Sequence, residues 1–246
     1  MTNTTKVIAT IPARGGSKRI INKNIRMLNG HPLLAYTIVA ALKSGIFSRV
    51  IVSTESEEIA SIAIQYGAEV PFLRPIEYSG DGSADIDWVY HLLSSLKKDV
   101  SLPECFSILR PTSPFRRPET IRSAWEIFQN ADDPDSLRAV ELCSQHPGKM
   151  WYVKNNEMTP IISNPNELET PWHSSPYQSL PKVYVQNASL EIAKCRVALT
   201  TRTISGSRVI PFITKGYEGF DINLPEDWML AESLVNNKMV NLPIIK

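Results

Sequence analysis

The residues best suited to chemistry lie in one short basic loop near the start of the 246-residue chain. Two adjacent glycines, Gly15 and Gly16, let backbone N–H groups approach a phosphate because no Cβ stands in the way. An arginine beside them can donate to two phosphate oxygens at once, and a lysine supplies a mobile point charge. The loop therefore predicts a phosphate site whose contacts are Ala13, Arg14, Gly15, Gly16, Ser17 and Lys23.

Positive charge is concentrated around this loop. Residues 1–54 contain eight Lys or Arg and no Asp or Glu, whereas the rest of the chain contains 18 basic and 25 acidic residues. Five of the eight cations lie between Arg14 and Arg26. Such a compact field suits a polyanion such as a triphosphate tail. The alternative is a plain glycine turn with solvated cations, since neither the Walker nor the dinucleotide-binding glycine pattern is present.

The composition is that of an ordinary globular protein. Apolar residues make up 43% and charged residues 21% of the chain, which excludes disordered, collagen-like and coiled-coil classes. The early apolar run Val7–Ile11 is too short for a signal peptide or a membrane span, so we expect a cytoplasmic protein without a membrane partner. Three widely spaced cysteines and four scattered histidines predict no disulfide framework, zinc site or nucleophile–base pair.

Strands and helices alternate along the first half of the chain. The sequence predicts a buried strand over Lys6–Ile11 and a second strand over Arg49–Ser53. Thr54 and Glu57 fit a capping box that opens a helix, and a short third strand is expected over Glu69–Phe72. The alternation continues to about residue 140. It is typical of a Rossmann-like α/β fold, a mostly parallel sheet with helices on both faces, in which ligands bind at the carboxyl ends of the strands.

A proline-rich stretch interrupts this alternation. Residues 143–182 contain six prolines and no helical stripe, which indicates an inserted arm, and its aromatic residues suit a contact between two copies of the chain. We therefore predict one α/β domain over residues 1–142 and 183–246, with a small dimerisation arm over residues 143–182. Strands are expected again over Val183–Gln186 and Leu190–Ala193, and a last helix from Pro225 should turn Leu230 inward.

Five segments resemble, in order, the motifs of the acylneuraminate cytidylyltransferases, or CMP-sialic acid synthetases, and of their relatives that act on other acidic sugars. The segments are IPARGGSKRIINKNI, RVIVSTESEEIA, LRPIEYSGDGSAD, LRPTSPFR and GFDINLPEDW. The resemblance implies a fold of the nucleotide-diphospho-sugar transferase type and a homodimer formed partly by the arm. It also implies Mg²⁺-dependent transfer of a nucleotide onto a sugar acid.

The resemblance assigns roles to several residues. Arg14, Lys23 and Asn24 match positions that hold the phosphates, Arg74 matches a nucleotide contact, and Ser83 falls where small side chains fit the base. In the reaction, Arg14 and Lys23 would act as catalytic residues that hold the leaving pyrophosphate. Ser83 is equally well explained as the cap of the following helix.

The resemblance also implies a metal site. The family binds its metal ion through an Asp-x-Asp pair, which reads Asp221-Ile222-Asn223 in this chain. Two residues apart on a strand, such side chains point the same way. Asp221 is therefore the predicted Mg²⁺ ligand and a catalytic residue, while Asn223 keeps an oxygen ligand but loses a charge. The alternative is that Asp221 only caps a turn before the helix at Pro225.

Two departures from the family pattern fall in the predicted sugar pocket. Sialic acid enzymes commonly have Gln-Pro-Thr-Ser-Pro and Asn-Gly-x-x-Tyr, where this chain has Arg110-Pro-Thr-Ser-Pro and Asn187-Ala-Ser-Leu-Glu191. Arg110 and Glu191 either pair with each other or bind different groups of the sugar, so N-acetylneuraminate itself is not the expected substrate. The predicted sugar contacts are Arg110, Thr112, Ser113, Gln186, Asn187 and Glu191.

The predicted activity is that of a cytidylyltransferase, which joins CTP and an acidic 2-keto sugar of the sialic or nonulosonic type to give a CMP-sugar and pyrophosphate. One alternative keeps the fold but uses another nucleotide, such as GTP, with a sugar phosphate bound near Arg110, Arg116 and Arg117. The other is a non-catalytic nucleotide- or RNA-binding protein. The basic loop lacks the aromatic residues that stack on bases, so no nucleic-acid partner is expected.

Overall fold

The structure of the protein is a computed structural model that describes residues 7–99, 102–166 and 169–245. Lys6, at the start of the first predicted strand, lies outside the described residues. Within these ranges, no helix combines the length and the apolar character that crossing a membrane requires.

The described residues form ten strands and five α-helices. The strands are β1 (Val7–Pro12), β2 (Met27–Leu28), β3 (His31–Pro32), β4 (Val50–Ser53), β5 (Cys105–Ile108), β6 (Ser136–Leu142), β7 (Trp151–Lys154), β8 (Glu157–Pro160), β9 (Tyr184–Lys194) and β10 (Val209–Ile213). The α-helices are α1 (Leu33–Ser44), α2 (Glu57–Gln65), α3 (Asp85–Asp99), α4 (Pro118–Asn130) and α5 (Pro225–Asn236).

Six strands form the central sheet in the order β10-β6-β9-β5-β1-β4. Strand β1, next to the edge strand β4, pairs in parallel with β4 and β5, and β9 runs antiparallel to β5. The sheet is thus mixed and mostly parallel, which confirms the predicted fold class.

Helices cover both faces of this sheet because β1 is apolar on both sides. Val7, Ala9 and Ile11 pack in one buried cluster with α1, α2 and α4. Ile8, on the opposite face, packs in a second cluster with α3, whose buried stripe includes Trp88. A strand buried on both faces reads as a continuous apolar run, as this one does.

Three strands end at the same edge of the sheet. The parallel strands β1, β4 and β5 end at Pro12, Ser53 and Ile108, and their loops continue from that edge. In the antiparallel β9, Glu191 lies directly opposite Ile108. The basic loop, the segment after β4, the Arg110 turn and Glu191 are therefore gathered at one edge by the topology alone.

The cap of α2 differs from the predicted one. Ser56 is the N-cap residue, and its hydroxyl accepts a hydrogen bond from the backbone N–H of Ile59. Thr54, the predicted cap, instead accepts from the backbone N–H of Ser56 at 3.1 Å and is fully buried. Thr54 and Ser56 both carry a hydroxyl and both precede α2, and the prediction of Thr54 as the cap was wrong.

Three further expectations about the elements are wrong. No strand forms over Glu69–Phe72, where Glu69 makes only an isolated bridge to Ile51. The segments Val183–Gln186 and Leu190–Ala193 belong to one continuous strand, β9. Leu230 is 48% exposed, because α5 turns Trp228, Ala231 and Leu234 inward and places Leu230 outside that stripe.

The described chain divides into two compact units. The first comprises the described residues of 1–139 and 187–246, and the second those of 140–186, a range that contains the arm predicted over residues 143–182. In the second unit, β7 and β8 form a hairpin in which Lys154 pairs with Glu157. Its two turn residues, Asn155 and Asn156, both have positive φ, as a tight hairpin turn requires.

Replacement of the observed cap tests this local assignment. We expect Ser56→Ala to lower the free energy of unfolding by about 1 kcal/mol, because one N–H of the first turn loses its acceptor. Ser61→Ala is the matched control, since Ser61 is exposed inside α2 and alanine is the better helix former there. Urea unfolding measures both, and equal stability of the two variants would contradict Ser56 as the cap.

Candidate active site

A cavity of about 260 Å³ opens at the edge where β1 and β4 end. Polar and charged side chains dominate its wall, and they come from segments far apart in sequence. Eight of the predicted site residues line it: Arg14, Ser17, Lys23, Asn24, Arg74, Ser83, Arg110 and Thr112. Six of the nine predicted phosphate and nucleotide contacts therefore converge on one space, whereas Ala13, Gly15 and Gly16 are not part of its wall.

The basic loop is anchored by hydrogen bonds to the end of β4 and from Asn24. The side-chain amide of Asn24 donates to the carbonyl of Arg14 at 2.8 Å, and Ala13 is fully buried with its N–H bonded to the carbonyl of Ser53. A Cβ on Gly16 would meet no atom within 4 Å, so the backbone there borders open space. The loop is thus open to a ligand at the position where a glycine permits close approach.

Carboxylates from other segments balance the charge of this loop. The Arg14 guanidinium and the Lys18 ammonium both contact Asp81, at 2.8 and 2.6 Å. The N–H of Gly15 donates to the Glu55 carboxylate at 2.7 Å. The hydrogen bonds from Lys18 and Arg14 lower the pKa of Asp81. Asp81 and Glu55 therefore stand where phosphate oxygens would compete for the same donors.

Lys23 connects the loop to the predicted metal site. Its ammonium donates to the carbonyl of Ile222 at 2.7 Å, between Asp221 and Asn223. Burial lowers the pKa of Lys23 from its ordinary 10.5, and the nearby charge of Asp221 acts in the opposite direction. Ile222 itself is fully buried in an apolar cluster with α5, which fixes the segment that carries both side chains.

Asp221 has one satisfied and one unsatisfied carboxylate oxygen. Its Oδ2 accepts a hydrogen bond from the amide of Asn223 at 2.5 Å, and its buried Oδ1 has no hydrogen-bond partner among the described residues. The two residues lie outside any strand, contrary to expectation. The N-cap residue of α5 is Leu224, and the carboxylate of Asp227 in the first turn accepts from the backbone N–H groups of Asn223 and Leu224, so Asp221 is not used as the cap.

Arg74 joins the end of β4 to the cavity. Its guanidinium donates to the carbonyl of Ser53 at 2.6 Å and lies 5.1 Å from the ring centre of Trp88. The residue is only 5% exposed, and this burial lowers its pKa to about 10. Ser83 is not the helix cap, because the N–H of Ala84 donates to Asp87, while the Ser83 hydroxyl donates to a backbone carbonyl.

The two unusual charges of the predicted sugar pocket pair with each other. Arg110 contacts Glu191 at 2.6 Å and Asp85 at 2.8 Å, and Glu191 also pairs with Arg138. Glu191 is 3% exposed. Asp85 and Arg138 were not among the residues that the sequence singled out.

The remaining predicted sugar contacts are dispersed. Thr112 lies in the cavity wall and accepts the N–H of Ile222 through its carbonyl at 2.9 Å. Ser113 is buried, and Asn187 donates to the Thr214 hydroxyl at 2.8 Å. Gln186 is exposed and belongs to the second unit.

The structure does not form the second basic subsite that a phosphorylated sugar would need. Arg116 is 1% exposed and donates to neutral acceptors, namely Thr37 at 2.9 Å and the carbonyls of Arg110 and Ser189. Burial, and then the charge of Arg110, lower its pKa to about 9. Arg117 points to Glu218 at 3.4 Å. Arg116 therefore fixes the Arg110 turn, and it is too deeply buried to bind a phosphate.

Fold and site together define a class of protein. A mostly parallel α/β sheet carries at its carboxyl edge a glycine-containing basic loop, a buried arginine and an aspartate with an unsatisfied oxygen. This combination is typical of enzymes that bind a nucleotide through its phosphates.

Comparisons with known proteins identify the family. The sequence profile of the family described as Cytidylyltransferase matches residues 8–209. CMP-N,N′-diacetyllegionaminic acid synthase of Legionella pneumophila is 36% identical over 233 residues, which are 94% of this chain and 96% of the relative. N-acylneuraminate cytidylyltransferase of Escherichia coli is 34% identical over 95% of this chain and 53% of the relative.

The same fold occurs in a solved structure, that of CMP:2-keto-3-deoxy-manno-octonic acid synthetase complexed with CTP. It superimposes with a TM-score of 0.67 over 95% of this chain and 99% of that chain, at 15% identity. The chain belongs to the cytidylyltransferase family and is a nucleotidyltransferase. The resemblance noted from the sequence motifs is thereby confirmed.

Removal of the Asp81 charge should strengthen triphosphate binding. In Asp81→Asn, the donors of Arg14 and Lys18 no longer have a carboxylate to be displaced, so we expect the Kd for a nucleoside triphosphate to fall about threefold. Asp132→Asn is the matched control, because Asp132 pairs with Arg208 and is 92% exposed outside the cavity wall. Calorimetric titration measures both variants, and equal affinities would show that Asp81 does not compete.

Proposed function

We propose that the protein transfers the cytidylyl group of CTP to an acidic 2-keto sugar of the nonulosonic class, giving a CMP-sugar and pyrophosphate. Family membership supports the reaction type, and the names of the two relatives support the class of sugar acid. The observation that carries the proposal is the convergence of Arg14, Lys23 and Arg74 on one cavity, with Lys23 bonded to the backbone beside Asp221.

The chain's own residues act by position and charge. The anomeric hydroxyl of the sugar attacks the α-phosphorus in line and loses its proton to solvent, the bond from the α-phosphorus to the bridging oxygen breaks, and pyrophosphate leaves. Arg14 and Lys23 hold the β- and γ-phosphates, so negative charge that develops on the leaving group meets fixed cations. The anchored basic loop and the buried Arg74 keep the nucleotide in place. This fixed position lowers the entropic cost of bringing the two substrates together.

The proposed cofactor is Mg²⁺, and the residues present fit it. The described residues contain no cluster of three or more His, Cys, Asp or Glu side chains suited to a metal. The residues proposed to hold the ion are Asp221 and Asn223, which are hydrogen-bonded to each other. The buried Oδ1 of Asp221, which has no hydrogen-bond partner among the described residues, suits such an ion. Mg²⁺ commonly binds one or two carboxylates together with waters and substrate phosphates, and when bound it disperses phosphate charge.

The proposed assembly is a homodimer formed partly through the second unit. In the hairpin β7–β8, Tyr152, Val153 and Met158 are 65%, 70% and 58% exposed. Large apolar side chains exposed together are typical of protein–protein contacts. A cytoplasmic location and the absence of a nucleic-acid partner stay predictions from the sequence.

A substrate panel tests the proposed reaction. Purified protein is mixed with Mg²⁺, one of CTP, GTP, UTP or ATP, and either one of several nonulosonic acids or a sugar phosphate, and pyrophosphate release is followed. We expect release with CTP and at least one N-acylated nonulosonic acid. Release with another nucleotide and a sugar phosphate, or none with any combination, would reject the proposed substrates.

Two substitutions at the metal site should act in opposite directions. Asp221→Asn keeps the shape but removes the charge, so we expect activity at limiting Mg²⁺ to fall by about a hundredfold or more. Asn223→Asp adds a second carboxylate and should lower the Mg²⁺ concentration that gives half-maximal activity. Magnesium titrations of turnover measure both. An unchanged requirement in both variants would remove Asp221 and Asn223 from the metal site.

The pH dependence of CTP binding should report on Lys23. Its pKa is lowered by burial, and CTP binds the protonated ammonium. The KM for CTP should therefore be constant while Lys23 is charged and rise as the pH increases through this lowered pKa, below the ordinary lysine range. Lys23→Arg stays charged there, so its KM should remain flat. A parallel rise in both proteins would show that Lys23 is not the titrating group.

A further inference from the structure

Four charged side chains form a cluster of linked ion pairs beside the cavity. Arg138 on β6 pairs with Glu191 on β9, Glu191 with Arg110 after β5, and Arg110 with Asp85 in the first turn of α3. Because β9 lies between β5 and β6 in the sheet, Glu191 is flanked by one arginine from each neighbouring strand. Asp85 has no role so far, although it also accepts the indole N–H of Trp88 at 2.9 Å.

Together the four side chains carry no net charge, and they divide into a buried pair and a more exposed pair. Glu191 and Arg138 form the inner pair, with side chains 4% and 12% exposed. Arg110 and Asp85 form the outer pair, with side chains 23% and 37% exposed, and both line the cavity. A buried carboxylate such as Glu191 is costly without partners, so the two arginines are needed to keep it ionised.

Arg110 still has hydrogen-bond donors to offer. A guanidinium carries five N–H groups. In Arg110, Nη2 makes both short contacts, Nη1 makes one 3.5 Å contact with Asp85, and no acceptor among the described residues is bonded to Nε. Two carboxylates already hold the group in one orientation, so little further entropy is lost when a ligand binds to it.

The charge balance decides which ligand atom suits these donors. A ligand carboxylate would be the third anion around two guanidiniums and would leave the partly buried cluster with a net negative charge. A neutral oxygen accepts the same hydrogen bonds without that cost. An amide carbonyl is such an oxygen, and the acid named for the Legionella relative carries two acetyl groups on nitrogen.

We propose that Arg110 donates to the carbonyl oxygen of an N-acyl substituent of the sugar acid, and that Asp85 and Glu191 are positioning residues that hold and neutralise it. The inference rests on the proposed function and adds to it the sugar substituent that is recognised. Arg138 keeps Glu191 ionised in the inner pair. The carboxylate of the sugar acid is bound elsewhere.

The test compares two acceptor acids that differ at one substituent, an acetamido group in one and a hydroxyl in the other. Steady-state rates of pyrophosphate release are measured for the wild type and for the double variant Arg110→Gln, Glu191→Gln, which keeps the cluster neutral. We expect the wild type to prefer the N-acetylated acid by about tenfold to a hundredfold in kcat/KM. The double variant should lose this preference with an unchanged KM for CTP.

A second variant covers the case in which the double variant does not fold. Asp85→Asn changes a part-exposed side chain, keeps an oxygen for the Trp88 indole and leaves the cluster with one uncompensated positive charge. We expect its preference for the N-acetylated acid to fall, again with an unchanged KM for CTP. A purely structural defect would lower kcat/KM for both acids by the same factor, so the ratio of the two kcat/KM values would stay as it was.

Three results would overturn the inference while leaving the proposed function intact. The first is a wild type that does not distinguish the two acids. The second is a preference for the N-acetylated acid that is unchanged in both variants. The third is a variant in which only the KM for CTP rises, which would assign Arg110 to the nucleotide. A wild type that releases no pyrophosphate with any acid would refute the proposed function, and this inference would fall with it.

Discussion

The arrangement of this site depends on how the positive charge of one loop is balanced. Residues 1–54 carry no acid, so the cations that follow β1 must find their counter-charges in distant segments. Asp81 pairs with Arg14 and Lys18, Glu55 takes the N–H of Gly15, and Asp221 influences Lys23. The topology brings these carboxylates to the carboxyl edge of the sheet, where the proposed function has a triphosphate replace some of them and a metal ion bind another.

The buried arginines Arg74 and Arg116 differ from Arg110 in their hydrogen-bond partners. Arg74 and Arg116 donate mainly to backbone carbonyls and hydroxyls, so they fix the backbone at the end of β4 and after β5. Arg110 is held between two carboxylates at the cavity wall. The cavity wall therefore has basic side chains at one end and the charge-balanced Arg110 at the other. These two environments suit the proposed substrates, a nucleotide and a polar sugar acid.

The sequence predicted the features that depend on local patterns. The apolar run of β1, the glycines of the loop and the proline start of α4 each signal their structure within a few residues, and the ordered motifs supplied the family. Eight predicted residues line the cavity for this reason. The choice between Thr54 and Ser56 as a cap was wrong because both fit the same short pattern.

Ion pairs between distant segments were beyond the reach of such patterns. Asp85 looks like an ordinary acid at a helix start, and Arg138 like one polar residue in an apolar strand, until the sheet order places Glu191 between Arg138 and Arg110. Asp81, between two glycines, carries no signal that its partners lie in the loop after β1. Only the folded topology reveals these pairings.

The most direct measurement of the central claim is a crystal structure of the protein with bound CTP. The account predicts density for three phosphates within hydrogen-bond distance of the Gly15 and Gly16 amides, Arg14 and Lys23, with Asp81 moved away from Arg14. A nucleotide whose phosphates lie outside this loop, or an unchanged contact between Arg14 and Asp81 in the complex, would contradict it.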